Sequence, residues 1–234
     1  STTGFIPWFL HEYLQIPFER FFPAVLPVWK LGIRFEWGPP AVSHFNYVFD
    51  PCMDVTLHAL RKANAFYCLN DMAGASLNSA LMDLNRSPVL PLPDNTYEQR
   101  SSYGYHFDTA RLIRFLEVEA TQNGIRLIDA EMKSARRHSN GDVAELLLAD
   151  GSTLSGDFFV DSSGFRSSLL RGVVGEPFQS YGDSLFNDMA LAAHCPRTGP
   201  LQPYTTATTM DSGWCWRIDL SDCNSFGYVF SSQF

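Results

Sequence analysis

Two short segments of this chain carry side chains that could do chemistry. Lys30 stands just before residues 31–37, whose alternation of apolar and polar side chains predicts a half-buried strand. A lysine offers an ammonium or amine on a flexible stem, whose protonation responds to burial, but it could simply be a solvated lysine at a strand start. Trp214 and Trp216 lie two residues apart in an extended segment, so both indoles should lie side by side on one face. Taken alone, such a pair could equally be a sheet face that covers a core.

A third segment, Asp161-Ser162-Ser163-Gly164, predicts a tight turn. We expect residues 158–161 to be a buried strand and Ser163-Gly164 to open a helix that runs to about residue 171. A glycine in this turn would let a ligand or neighbouring backbone approach closely, where a Cβ would crowd it.

The histidines and serines suggest little catalysis. His106 reads as a packed loop residue and Asp108 as a helix N-cap. His44 and His58 have no partner at metal-ligand spacing, so no metal is assigned. The serines around position 163 lack the G-x-S-x-G context of a nucleophile elbow.

Composition narrows the class of protein. The 234 residues carry a net charge of −8 without a basic run, which argues against nucleic acid or an anionic membrane as partner. No apolar run approaches membrane-spanning length, and no signal peptide is recognised. Five scattered cysteines predict reduced thiols of a cytoplasmic protein, and the high aromatic content suits cavities for planar ligands.

The elements that must position these residues follow from local patterns. Helices are predicted at 6–14, within 54–84, and from Asp108 to Gly124, while prolines 17, 23 and 27 should interrupt any long helix before Lys30. Prolines 88, 91 and 93 predict a loop. Strands at 131–138, 143–149 and 153–160, joined by Asn140-Gly141 and Asp150-Gly151, predict an antiparallel meander. Residues 184–232 should be mostly β, with one strand bearing the Trp pair and another near 226–232.

Three of these segments together resemble the flavin-dependent halogenases. Ser212-Gly213-Trp214-Cys215-Trp216-Arg217-Ile218 is similar to their G-W-x-W-x-I-P motif, and the segments around Lys30 and Gly164 match in place. Asp219 stands where the family usually has proline, which argues for a divergent subfamily and against assuming tryptophan as substrate. The resemblance implies an α/β (α+β) fold of the FAD-binding aromatic monooxygenase and halogenase type, with a β-meander and a mixed sheet.

The resemblance also implies roles for particular residues. Lys30 would line a tunnel, receive hypohalous acid made from halide by reduced FAD and oxygen, and present the halogen to an aromatic ring. Trp214 and Trp216 would keep the substrate from the flavin and so suppress hydroxylation. Residues expected near the FAD are Ser1, Thr2, Thr3, Glu131, Met132, Asp161, Ser163 and Gly164.

The chain is expected to be one incomplete halogenase domain over 1–234, because it has no G-x-G-x-x-G to seat the FAD pyrophosphate and begins inside a family motif. Its partners would be an aromatic small molecule and, transiently, a separate flavin reductase that supplies FADH2; a homodimer is left open. The alternatives are a related flavin-dependent aromatic hydroxylase and an inactive piece that binds no flavin.

Overall fold

The structure is a computed structural model that describes residues 1–37, 44–50, 76–93, 97–99 and 101–233. It comprises two compact units, one formed by Ser1–Glu119 with Phe186–Phe234 and the other by Ala120–Leu185. Among the described residues no helix has the length and apolar character needed to cross a membrane.

The first unit begins with short, aromatic-rich helices. The helix predicted at 6–14 forms as α1, Phe5–Trp8, which continues into a π-helical turn, Phe9–Tyr13. Helix α2, Phe18–Val25, is only eight residues long, so the expectation that no long helix precedes Lys30 is confirmed. Pro23 nevertheless lies inside α2 and removes one backbone donor there.

A mixed six-stranded sheet dominates the first unit. Its strands are β2 Gly32–Glu36, β3 Phe45–Val48, β10 Met189–Pro196, β11 Thr205–Met210, β12 Gly213–Asp219 and β13 Cys223–Phe230. The spatial order is β10-β13-β12-β11-β2-β3. Neighbours are antiparallel except β11 and β2, which run parallel with Thr205 opposite Ile33. The predictions of a mixed sheet and of a β-rich region at 184–232 are confirmed, and the predicted strand at 31–37 is present as β2.

Two antiparallel pairs supplement this sheet. Strand β1, Val28–Lys30, pairs with β6, Gly104–His106, and places Lys30 opposite Gly104. Strand β4, Val89–Pro91, pairs with β5, Tyr97–Gln99. The prolines had predicted a loop here, which is wrong for 89–91 because a proline is tolerated in a strand paired on one side only.

Two further helices follow the predicted caps. Helix α3, Leu77–Asp83, begins after Ser76, whose hydroxyl accepts a hydrogen bond from Ser79 N at 3.0 Å. It is the described part of the helical region predicted at 54–84, and residues 54–75 lie outside the described ranges. Helix α4, Thr109–Gln122, begins after Asp108, which accepts from Arg111 N at 2.9 Å. Gly124 follows it with a φ of 77°, as predicted for the helix end.

The apolar core of the first unit lies between the helices and the strands that carry Lys30. It is built from side chains of the π-helical turn after α1, of α2, α3, α4 and β6, and of residues next to strands β1 and β6. Among them are Leu10, Phe21, Val25, Leu31, Met82, Tyr103, Tyr105 and Phe115. Lys30 is therefore placed beside a packed aromatic cluster, in which Trp29 contacts Tyr103 edge to face.

The second unit contains the predicted meander. Strands β7 Met132–Arg137, β8 Val143–Leu148 and β9 Thr153–Ser155 pair in sequence order. Gly141 and Gly151 adopt φ values of 98° and 87°, the positive angles that Asn-Gly and Asp-Gly turns favour.

The prediction for the segment after the meander is wrong in two respects. Residues 158–161 form no strand, and Phe158 and Val160 are 84% and 75% exposed, because no described strand lies beside them to complete a ladder. The expected helix to residue 171 is broken into a 3₁₀ turn, Gly164–Arg166, and a π turn, Leu170–Val174. Ser167 separates them with a left-handed φ of 45°.

Candidate functional site

Lys30 is a buried amine at the end of β1, with 5% of its surface exposed. Its Nζ donates a hydrogen bond to the carbonyl oxygen of Thr2 at 3.0 Å and lies 5.1 Å from the ring centre of Phe49. No carboxylate among the described residues lies within ion-pair distance of it. The solvated-lysine alternative is therefore wrong for this position.

Burial changes the protonation of this amine. Removal from water lowers the pKa of Lys30 from 10.5 to about 8, because the charged form loses hydration and gains no anionic partner. A lysine in this state is within reach of its neutral form near physiological pH. It can therefore act as a hydrogen-bond donor or as a nucleophile.

His106 lies fully buried on β6, two residues from Gly104, the partner of Lys30. Its Nε2 shares a hydrogen bond of 3.0 Å with the hydroxyl of Thr205. Burial lowers the pKa of His106 well below 6.5, and the positive charge of Lys30 lowers it further. A hydrogen bond with the Asp219 backbone acts in the opposite direction. His106 is thus a packed residue, as predicted, although it belongs to a strand and not to a loop.

Ser1, Thr2 and Thr3, predicted near the cofactor, lie beside this lysine. The Ser1 hydroxyl is 3.4 Å from that of Thr205, and the Thr3 carbonyl accepts from Ile6 N at 3.2 Å. The Thr2 hydroxyl is bonded to the backbone of Tyr105 in both directions. The motif did not indicate that the Thr2 carbonyl would be the hydrogen-bond acceptor of Lys30.

Trp214 and Trp216 lie side by side on β12, as their spacing predicts. Their ring centres are 6.1 Å apart with planes inclined by 56°, and both are half-buried. Trp216 stands opposite Gly227 of β13, and a Cβ on that glycine would lie 1.9 Å from Cζ2 of the indole. The indole therefore lies directly against the glycine backbone, which fixes its direction.

An open cavity of about 510 Å³ adjoins Trp214. Trp37 and Phe186 provide further aromatic walls, and Asp211 and Ser231 provide polar groups. Its volume falls within the range of small-molecule sites.

Lys30 and the Trp pair occupy different places on the first unit. Trp216 is opposite Ala207, and Ala207 is opposite Phe35, five positions beyond Lys30. At about 3.3 Å per residue, five residues of extended chain separate the two levels by roughly 16 Å. The structure does not bring the amine and the indoles into contact.

Asp219, the departure from the family motif, has a structural role. Its carboxylate, 1% exposed, accepts hydrogen bonds from Gln202 N at 2.9 Å, Arg217 Nε at 2.9 Å and Asn224 Nδ2 at 3.0 Å. It therefore ties the end of β12 to both neighbouring segments. The inference from this residue against assuming tryptophan as substrate stays a prediction.

The Asp161 turn of the second unit is held by its own side chains. Asp161 accepts from the amides of Ser163, Leu169 and Leu170 and from the Ser163 hydroxyl, which keeps the pKa of its carboxyl far below the usual range. The Ser163 hydroxyl also accepts from Ser168 N at 2.7 Å. Both predicted side chains thus order the turn.

Gly164 has a backbone conformation that itself favours glycine. Its φ is 63°, which L side chains rarely adopt, whereas a Cβ there would meet no atom within 4 Å. The expected crowding by neighbouring backbone is therefore wrong. The open space leaves room for a ligand to approach this turn.

Glu131 and Met132, the remaining predicted cofactor residues, begin the meander. The Glu131 side chain is exposed and its carbonyl accepts from Ala149 N at 2.9 Å, while Met132 is half-buried opposite Leu148. They belong to the second unit together with Asp161, Ser163 and Gly164.

Three residues around these groups were not identified from the sequence: Phe49, Gly104 and Gly227. A glycine inside a strand indicates a close approach of another group, so the last two could have been found by that signal. Among the cysteines, 195, 215 and 223 are free thiols. Cys52, Cys68 and His58 lie outside the described residues.

Comparison with known proteins identifies relatives of the whole chain. The tryptophan halogenase family model matches residues 1–234. Tryptophan 7-halogenase KtzQ of Kutzneria sp. (strain 744) is 36% identical over 95% of this chain and 46% of its own length. Tryptophan 6-halogenase SttH of Streptomyces toxytricini is 29% identical over 95% of this chain and 47% of its own.

Solved structures agree with these relatives. MibH, a lathipeptide tryptophan 5-halogenase, superposes with a TM-score of 0.83 at 39% identity, covering 99% of this chain and 44% of that one. BrvH, a flavin-dependent halogenase from Brevundimonas sp. BAL3, gives 0.80 at 29% identity, with 99% and 49% covered. The chain therefore spans about half the length of the relatives it matches, and the predicted fold class is confirmed.

Proposed function

Because this chain belongs to the tryptophan halogenase family, we propose that the protein carrying it halogenates an electron-rich aromatic small molecule in an FADH2-dependent reaction. Chloride or bromide would be the halogen source, and a separate flavin reductase would supply the reduced cofactor. Lys30 would deliver the halogen as an electrophile. SttH and KtzQ are named tryptophan halogenases and MibH a lathipeptide tryptophan 5-halogenase, and the substrate class proposed here is the broader one.

The observation that carries this proposal is the state of Lys30. Its amine is buried beside aromatic side chains, has a backbone carbonyl as acceptor, and has a pKa lowered to about 8 by burial. A carboxylate partner would hold the group as an ammonium ion, and none of the described residues supplies one. This is the environment that nucleophilic or donor chemistry of a lysine needs.

Two steps are compatible with this amine. As an ammonium it would donate a hydrogen bond to hypohalous acid. The aromatic ring would then take the halogen and lose a proton, and this proton combines with the departing hydroxide to form water. As a neutral amine it would attack the halogen, release water and form an N–X bond, and the ring then takes the halogen and returns a proton to the nitrogen. Both routes consume one hypohalous acid, form one carbon–halogen bond and regenerate Lys30.

When bound, reduced flavin would activate molecular oxygen, which is the oxidant that converts halide into hypohalous acid. Of the residues expected near it, Ser163 and Gly164 present an exposed turn with open space beside the glycine, which fits approach of a planar cofactor to the backbone. The Asp161 carboxylate would hold that turn in place and not contact the ligand, because its oxygens already accept four hydrogen bonds.

The flavin-dependent hydroxylase remains the second candidate. The half-buried Trp pair beside an aromatic-walled cavity favours halogenation, since two indoles would exclude substrate and water from a reactive cofactor. A hydroxylase has no need for a buried amine of lowered pKa.

The test is Lys30→Ala in the full-length protein, with Lys133→Ala, an exposed lysine, as the matched control. The enzyme receives FAD, a flavin reductase, bromide and a panel of indoles and phenols, and products are detected by mass. We expect the Lys30 variant to lose product at least ~100-fold, which is the lower end of the range typical of a general acid–base contribution. FAD binding and hydrogen peroxide release should remain. Product at the wild-type level from the Lys30 variant would contradict the proposal.

A further inference from the structure

The acceptor for the Lys30 amine is a main-chain group, and its position depends on one side chain. The Thr2 carbonyl receives the only hydrogen bond that Nζ donates within the described residues, at 3.0 Å. This carbonyl belongs to an extended segment that precedes α1. Such a segment needs an external attachment if its carbonyl is to keep a fixed direction.

Thr2 supplies that attachment through Tyr105. Its amide donates to the Tyr105 carbonyl at 2.9 Å, and its hydroxyl donates to the same carbonyl at 3.1 Å. The hydroxyl also accepts from Tyr105 N at 2.8 Å. Tyr105 belongs to β6, the strand paired with β1, so the acceptor is fixed to the neighbour of the strand that carries the lysine.

Gly104 leaves the space that this arrangement requires. It stands opposite Lys30, and a Cβ on it would lie 3.0 Å from the Thr2 oxygen and 3.1 Å from both the Thr3 oxygen and Cε2 of Phe49. Contacts this short would push the 2–3 segment or the Phe49 ring away from the amine. Two independent features, a two-way hydroxyl contact and an absent side chain, thus converge on the same carbonyl.

We infer that Thr2 is a positioning residue for Lys30, whose hydroxyl holds the Thr2 carbonyl where it orients the amine. This deepens the proposed function and rests on it only for the role of Lys30 in turnover. Without the hydroxyl, only the Thr2 amide still holds the 2–3 segment to β6, so the Thr2 carbonyl is no longer fixed in direction and water reaches Nζ. Among side chains, His106 is the titratable neighbour on β6, and it stays neutral in the accessible range because burial lowers its pKa.

The test compares Thr2→Val with Thr2→Ser in the full-length protein. Valine keeps the shape and removes the hydroxyl, whereas serine keeps the hydroxyl. The measured quantity is the midpoint of the pH profile for amine labelling of Lys30, read from its peptide by mass spectrometry, alongside product yield. We expect Thr2→Val to move the midpoint upward by at least about half a unit, from near 8 toward the ordinary lysine value, and to lower product at least tenfold. Thr2→Ser should keep both at the wild-type level.

A purely structural role would give a different result. If Thr2→Val lowers the melting temperature but leaves the Lys30 midpoint unchanged, the inference is wrong. If the midpoint moves while Lys30→Ala still forms product, the positioning role stands and the proposed function fails. Gly104→Ala provides a second variant, should Thr2→Val not fold, and should also raise the midpoint. Its control is Gly172→Ala, where a Cβ would have its nearest contact at 3.9 Å.

Discussion

A buried ammonium group lowers the stability of the fold that contains it, and Lys30 makes this measurable at the scale of one residue. Its folded pKa of about 8 lies below the 10.5 of the exposed side chain. Between these two values the unfolded chain binds a proton that the folded chain does not, so stability rises with pH in this window. Below pH 8 the full unfavourable contribution is present.

We expect Lys30→Met to be more stable than the wild type at pH 7. The pKa difference corresponds to roughly 3 kcal/mol, and the lost hydrogen bond to Thr2 offsets about 1 kcal/mol of it. The advantage should shrink as pH rises from 8 to 10.5. Urea unfolding at several pH values measures it, and Lys133→Met, at an exposed site, should show no such trend. A Lys30→Met variant that is less stable than the wild type at pH 7 would show that the buried amine does not destabilise the fold.

Sequence reasoning could identify Lys30 but not its environment. The lysine stands beside a recognisable strand, which is a local pattern. Its burial comes from Thr2, Phe49 and Gly104, which are distant in sequence and carry no ionisable group that a motif would mark. The same limit applies to Asp219, whose three partners are known only once β12 and β13 are paired.

At the scale of elements, strands β12 and β13 determine where the tryptophan pair points. Trp216 occupies the space above Gly227, and no side chain at 227 can coexist with that ring position. The pairing of β12 with β13 therefore holds the Trp216 ring in place as much as the rotamer of Trp216 does.

We therefore expect Gly227→Ala to displace the Trp216 indole and to destabilise the protein by about 1–3 kcal/mol, as overpacking does. Intrinsic fluorescence should change, and peroxide release should rise relative to halogenated product. The double variant Gly227→Ala with Trp216→Ala removes the clash, so the stability losses of the two single changes should not add. Additive losses would mean that ring and glycine do not interact.

Element prediction succeeded where the determinant was local. Asn140-Gly141 and Asp150-Gly151 specify their turns, and Asp108 specifies a helix start, within a few residues. The run at 158–161 is apolar and β-prone, yet it forms no strand because a strand exists only with a partner, and no described segment provides one. The helix after Gly164 is broken because Ser167 adopts a left-handed backbone conformation. No sequence pattern indicates that conformation.

For the whole molecule, about half of the relatives' length is represented here, and uncovered apolar surface accompanies it. Phe158, Phe165 and Phe178 of the second unit are each more than 70% exposed, and all eight residues of β10 in the first unit are exposed. Isolated apolar residues are common on surfaces, but a contiguous apolar segment or an open strand edge favours association.

Residues 1–234 expressed alone are thus expected to associate and to lack turnover. The sequence contains no G-x-G-x-x-G loop to hold a dinucleotide pyrophosphate. Light scattering reports the association, and product assays with FAD, reductase, bromide and aromatic substrates report activity. Lysine-dependent product above the background of free hypohalite would contradict this expectation, whereas activity recovered in the full-length protein would support it.

The parallel pairing of β2 with β11 sets the order in which the first unit can assemble during synthesis. Thr208 bonds to Glu36 across 172 positions of sequence. At about 5–20 residues per second, the ribosome needs roughly 10–35 s to make that intervening chain. Until then the β2–β3 hairpin has an open edge, and His106 lacks its contact with Thr205. The Lys30 contacts with Thr2, Phe49 and Gly104 need only the first 104 residues. The neighbouring Leu31 amide, which donates to the Pro203 carbonyl at 2.8 Å, gains its partner only late in translation.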